Sequence, residues 1–294
     1  MKRLVFLVSL LFLLCPVPTY ASGKLLVFAS IIPQKHFLEK IGGDLVDVSI
    51  MVMPGASPAT YEPTPRQMAR LAKAKAYFSI GVPFENSWLE RIASASSEMV
   101  IIPTGKGIQK IPMAVHAHDE SEGKSDGHGD GILDPHIWLS PERVRLIAAN
   151  ICAGLIQLDT VNTVVYEANL VAFLEDLDRL DEDIRASLAK VPDGQRSFMV
   201  FHPSWGYFAE QYGLLQIPIE TEGQSPSPRE LVEVVERGRE LGISVVFVQP
   251  QFSDKSAKVI ASEIGAQVVP LDPLAEDWAD NLRSAAEAFR QELR

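Results

Sequence analysis

VNTVVYEANLVAFLEDLDRLDEDIRASLAK (161–190) decides the architecture of this chain. Leu170, Phe173, Leu174, Leu177, Leu180, Ile184 and Leu188 recur at three- and four-residue steps, with Asp and Glu between them and no Pro or Gly inside. That spacing puts the apolar side chains on one stripe of a single amphipathic helix. Thirty residues at 1.5 Å rise would span about 45 Å, longer than a domain of this size needs for packing alone. Such a helix could be one long wall of a single core. The preferred reading is a rigid connector between two lobes, because a strand–helix rhythm runs up to it and restarts after it. The acids Glu175, Asp176, Asp178, Asp181, Glu182 and Asp183 read as its solvated face.

Before the helix, short apolar runs at Leu25–Ala29, Val46–Val52, Ala76–Ile80 and Met99–Ile102 read as strands. Helical segments fall at Pro33–Ile41, Pro65–Ala74, Trp88–Ala95 and Pro141–Leu158. After it, strands at Phe198–Phe201, Leu215–Ile219, Ile243–Val248 and Gln267–Leu271 alternate with helices at Ser204–Tyr212, Asp254–Ile264 and Trp278–Leu293. Ser227, Pro228 and Glu230 form a capping box that opens one more helix. The expected fold is α/β: two lobes with mainly parallel sheets, joined by one long backbone helix, with a cleft between them. The boundaries expected are 1–21 for a signal peptide, 22–160 for the first lobe, 161–190 for the connector and 191–294 for the second lobe. The length allows each lobe its own core.

Lys2 and Arg3, the apolar run Leu4–Leu14 and the small residues Thr19 and Ala21 make a cleavable secretory leader, too short to span a membrane. Leu14 before Cys15 is too bulky for lipoprotein processing, so a lipid anchor is not expected. The expected compartment is extracytoplasmic, periplasmic where there are two membranes. Cys152 then stands alone in an apolar helix pattern and reads as a buried small hydrophobe. The formal net charge of −11 becomes more negative when the basic leader is lost. That argues against nucleic acid or anionic membrane as a partner and suits a protein that handles cations.

Four of the six histidines crowd into residues 116–136. His116, His118 and His128 lie in a Gly/Ser/acid-rich loop (114–131) that cannot bury a core and could serve only as an accessory metal trap or a solvated loop. His136 sits in the compact segment DPHIWLSP. Farther on, His202, Gln249 and Asp272 each fall just past a strand's carboxyl end, where open α/β sheets bind ligands. His136 is expected at the equivalent rim of the first lobe. A lone His or Asp at such a place is often only a cap or a turn residue; the matching positions in two lobes turn the reading toward metal. His36, on the first helix, reads as a surface residue.

MPGASPATYEPTPRQM (53–68), DPHIWLSP (134–141), FHPSWGYFAEQYGL (201–214), FVQPQFSDK (247–255) and LDPL (271–274) occur in this order over the whole mature chain. With these motifs the chain resembles the metal-binding solute-binding proteins of bacterial zinc and manganese ABC importers, cluster A-I, zinc type. The resemblance implies capture of a divalent metal and delivery to an ABC permease by a monomer, without catalysis. It carries over His136, His202 and Asp272 as metal ligands. It also implies a histidine in the first motif, where this chain has Ala59. Glu62, a water, a histidine from the flexible loop, or less readily Glu222 could fill that place. Two imidazoles and a carboxylate favour Zn2+; Mn2+ prefers more oxygens and remains the alternative. A binder of another ligand, such as a siderophore or cobalamin, is a further reading. A zinc hydrolase is disfavoured by the lack of an HExxH motif and of a base beside the ligands.

Overall fold

The fold was obtained as a computed structural model, which describes residues 23–114, 132–220 and 224–293. The leader, the three loop histidines His116, His118 and His128, and Glu222 lie outside the described residues.

Two four-stranded parallel sheets carry the chain. The first contains β1 (Leu25–Ala29), β2 (Val46–Ile50), β3 (Ala76–Ser79) and β4 (Val100–Pro103), in the order β2-β1-β3-β4. The second contains β5 (Ser197–Val200), β6 (Leu215–Pro218), β7 (Val245–Val248) and β8 (Gln267–Pro270), in the order β6-β5-β7-β8. The two orders are the same topology. The inner strands β3 and β7 are buried throughout, as AYFS and VVFV, which is why they read as continuous apolar runs rather than alternating ones.

Helices α1 (Ile32–Gly42), α2 (Pro65–Leu71), α3 (Pro83–Ser94) and α4 (Pro141–Leu158) belong to the first half. Ser140 caps α4 through the Arg143 amide, and Thr64 with Gln67 makes a reciprocal capping box on α2. Helix α3 starts five residues earlier than its apolar pattern suggests. Pro83 suits the first helical position, and the Glu85 carboxylate accepts the Ile80 and Gly81 amides at 3.0 and 2.8 Å. In the second half come α6 (Gly206–Tyr212), α7 (Pro228–Glu240), α8 (Lys255–Ile264) and α9 (Trp278–Glu292). The Ser227–Glu230 capping box on α7 is present as expected.

Helix α5 (Thr163–Leu188) is the long connector, preceded by a turn of 3-10 helix at Thr160–Asn162. Its 26 residues span about 39 Å. It packs against α1 and α4 of the first half and against α9 of the second, so it both links the lobes and lines their interior. Tyr166, Phe173, Leu177, Leu180, Ile184 and Leu188 form its buried stripe.

Three expectations need correction. The lobes do not have two separate cores: one continuous apolar cluster runs from Val27 and Phe78 through the α5 stripe to Phe198, Phe247 and Phe289. Among the described residues, the other face of the second sheet, around Met199, Ile219, Val246 and Ile260, forms a cluster of its own. The acids on α5 are not merely solvated. Asp181 accepts Tyr212 Oη at 2.9 Å and Gln211 Nε2 at 2.8 Å, Asp176 accepts Lys40 Nζ at 3.0 Å, and Asp183 accepts Arg283 Nε at 2.9 Å. They therefore tie α5 to α1, α6 and α9. His36 is half-buried rather than on the open surface: it packs beside Phe37, Phe173 and Trp278 in a crevice of about 300 Å³. Cys152 is free and buried, as its apolar setting implied.

Candidate metal centre

His202 lies two residues beyond the end of β5, and Gln249 directly follows β7. In the order β6-β5-β7-β8 these strands flank the topological switch point, where the loops diverge and leave a crevice. Gln249 is 2 % exposed and grips the backbone of His202. Its Oε1 accepts the His202 amide at 3.1 Å, and its Nε2 donates to the His202 carbonyl at 2.6 Å.

His136 arrives by another route. The corresponding switch point of the first sheet is filled by Ser30, Tyr77 and Glu85, with Ser30 Oγ and Tyr77 Oη 2.6 Å apart. His136 instead stands at the N-cap of a one-turn 3-10 helix, Ile137–Leu139, beyond β4. The expected strand-end placement holds for His202 and not for His136. Asp134 turns back on this segment: its Oδ1 accepts the His136 amide at 2.8 Å and meets His136 Nδ1 at 2.7 Å. Tyr207 of α6 closes the turn by donating to the Asp134 carbonyl at 2.7 Å.

The two histidines, 66 positions apart, meet between the lobes. Nε2 of His136 and Nε2 of His202 are 3.2 Å apart, with ring centroids at 5.0 Å and planes inclined by 71°. His202 Nδ1 lies 2.5 Å from Glu220 Oε1, and its ring stacks on Phe252 at 4.8 Å. Each imidazole thus turns Nδ1 to a buried carboxylate and Nε2 to the other imidazole. A carboxylate on Nδ1 fixes the tautomer and raises the basicity of Nε2, the arrangement found behind metal-bound histidines. Burial holds the His136 pKa below its ordinary value, and His202 pushes the same way, while Asp134 and Glu220 pull it up.

Asp272 lies two residues past β8 and is half-buried. Its Oδ1 accepts Gln251 Nε2 at 2.8 Å and the Leu274 amide at 2.9 Å. Glu62 and Ala59 are exposed in the irregular stretch between β2 and α2. Among the described residues, no three His, Cys, Asp or Glu side chains are disposed to hold one metal. The structure therefore brings His136 and His202 together but does not gather Asp272 or Glu62 into a coordinating set with them.

Sequence reasoning missed Asp134 and Glu220. The D-x-H spacing of Asp134 and His136 was available as a signal, because an Asp side chain readily bonds the amide two residues on. Nothing local distinguishes Glu220 from Glu222; only the path of the chain after β6 sets Glu220 against His202.

Comparison with known proteins gives the family. The family model described as "Zinc-uptake complex component A periplasmic" matches residues 27–292. The zinc-binding protein AdcA of Streptococcus pyogenes serotype M3 is 30% identical over 267 residues, which cover 86% of this chain and 51% of that protein. The chain thus spans about half the length of that relative. The high-affinity zinc uptake system protein ZnuA of Bacillus subtilis is 30% identical over 258 residues, covering 85% of this chain and 79% of that protein. A solved structure titled "Crystal structure of ZnuA" superposes with a TM-score of 0.84 at 44% identity, covering 92% of this chain and all of that one. By the extent of the family match, this chain belongs to the family of periplasmic zinc-uptake complex A components.

Proposed function

We propose that this protein captures a divalent metal outside the cytoplasm, zinc in preference to manganese, and delivers it to an ABC-type permease. The observation that carries the reading is the 3.2 Å approach of two carboxylate-backed Nε2 atoms from different lobes. Two nitrogens bound at 2.0–2.1 Å to one tetrahedral zinc lie about 3.3–3.4 Å apart, so the pair is already spaced as two zinc ligands. His136 and His202 supply these nitrogens. Asp272 supplies an oxygen through Oδ2, because the bonds from Gln251 and Leu274 both fall on Oδ1. The fourth position belongs to water, to Glu62, or to one of His116, His118 and His128, which otherwise act as an accessory trap. The lobes are taken to divide at α5, with 22–160 on one side and 191–294 on the other.

Zinc-binding relatives at 30% identity support zinc as the cargo. Two imidazoles in the set point the same way, since manganese favours more oxygens and higher coordination. The capture is a binding event without chemistry on the metal. The chain's own residues orient the imidazoles, keep their tautomers fixed and exclude bulk water from His136.

The test is calorimetric titration of the metal-free protein with zinc and with manganese. His136→Ala and His202→Ala should each weaken zinc binding by at least tenfold. Unchanged zinc binding in both variants would refute the site, and tighter manganese than zinc binding would refute the cargo.

A further inference from the structure

Two tryptophans tie together the segments that carry His136 and Asp272. Trp138 lies two residues past His136, and its indole Nε1–H donates to the carbonyl of Pro273 at 2.8 Å. Pro273 directly follows Asp272. Trp278, the first residue of α9, donates its own Nε1–H to the carbonyl of Trp138 at 2.8 Å. Both residues are 1 % exposed. Trp278 also packs edge-on against Phe37 of α1, with centroids 4.9 Å apart, and Asn281 on the next turn of α9 donates to the Asp272 carbonyl at 2.7 Å.

These contacts close a ring: Asp272 and Pro273 to Trp138, Trp138 to Trp278, and α9 back to Asp272. Trp138, Trp278 and Pro273 are all buried, so breaking either indole bond takes the donor from a carbonyl of a buried residue. The tie is therefore either made or strongly opposed. We propose that Trp138 and Trp278 are positioning residues for the metal site. Their reciprocal indole-to-carbonyl bonds hold the Asp272 segment of the second lobe against the His136 segment of the first, and this seam stays closed while metal enters and leaves. The proposal rests on the metal-binding reading above and adds to it a pair of residues that touch no metal.

The closing experiment is zinc titration, with cobalt absorption as a second readout, on wild type, Trp138→Phe, Trp278→Phe, Trp205→Phe and His136→Ala. Phe keeps an aromatic ring but removes the N–H together with part of the indole volume, so the control has to share the same truncation. Each latch variant should raise the zinc dissociation constant about tenfold and alter the cobalt spectrum, as loss of residues supporting metal ligands does elsewhere. Trp205 is the matched control: it is fully buried and loses the same volume, but its indole N–H has no partner among the described residues, so Trp205→Phe should leave both readouts as in wild type. If His136→Ala loses zinc while both latch variants bind like wild type with an unchanged cobalt spectrum, the latch is refuted and the site stands. If His136→Ala binds like wild type, the site itself is refuted and the latch with it. Wild-type indole hydrogen exchange gives a test that needs no variant to fold. The Trp138 and Trp278 N–H protons should exchange as slowly as core amides with and without zinc, and fast exchange in the zinc-free protein would overturn the proposal.

Discussion

Gln249 holds His202 from both sides of its backbone, accepting its N–H at 3.1 Å and donating to its C=O at 2.6 Å. The two residues end neighbouring parallel strands, so a single side chain locks the orientation in which His202 faces His136. Replacing Gln249 with Ala would leave the His202 amide without its acceptor, at a cost of about 1–3 kcal/mol, while the His202 carbonyl keeps the Ser204 amide at 2.7 Å. Gln249→Ala should show that loss in urea unfolding and should weaken zinc binding in parallel. Full stability with full affinity would mean the loop holds its shape without the clamp.

Gly206 is forced by the Asp134 carboxylate. A Cβ at residue 206 would sit 2.6 Å from Asp134 Oδ2, and Asp134 cannot swing aside without releasing the His136 amide and ring. Gly206→Ala should destabilise the fold by about 1–3 kcal/mol through overpacking. It should also loosen His136, which imidazole NMR shifts would report.

Stability should fall on mild acidification. Burial lowers the pKa of both His36 and His136, so in the folded state they stay neutral where the unfolded chain would take up protons. Between their lowered values and the ordinary value near 6.5, the unfolded state binds more protons and stability rises with pH. This contribution is complete above about 6.5 and is lost as the pH drops through that window. His36→Phe, which keeps an aromatic ring beside Phe37 and Phe173, should flatten the dependence of Tm on pH below 6.5. An unchanged slope would place the titration elsewhere.

Ala59→His should tighten zinc binding. The Pro58 carbonyl accepts the Phe84 amide at 3.1 Å, and the Ala59 amide donates to Ser57 Oγ at 3.2 Å, so a histidine would enter an anchored loop with its side chain in the open. Calorimetry on the folded variant should show a lower dissociation constant. No gain would mean another group already occupies that coordination position.

Much of the fold is written in local pattern. Strands buried on both faces must be short apolar runs, a long packing helix must keep its stripe, and helix starts need caps. VVFV, the α5 stripe and the Ser227–Glu230 box are therefore legible from the chain alone. His202 and Asp272 are legible as strand-end residues for the same reason. The site's supporting partners are not. Glu220 reaches His202 over 18 positions, Tyr207 reaches Asp134 over 73, and Trp278 reaches Trp138 over 140. Such contacts carry no periodicity that a window of sequence could reveal.

By itself, then, the sequence determined the element types, the long connector and the family, and offered candidate metal ligands. The tertiary structure decided which of them meet. It set His136 against His202, gave each a carboxylate, merged the lobes into one main core and half-buried His36. Secondary structure follows from interactions within a few residues, whereas a site between lobes depends on how whole sheets and helices pack. That packing is settled by the burial of Trp138, Trp278 and the α5 stripe together, a property of the assembled core and of no single segment.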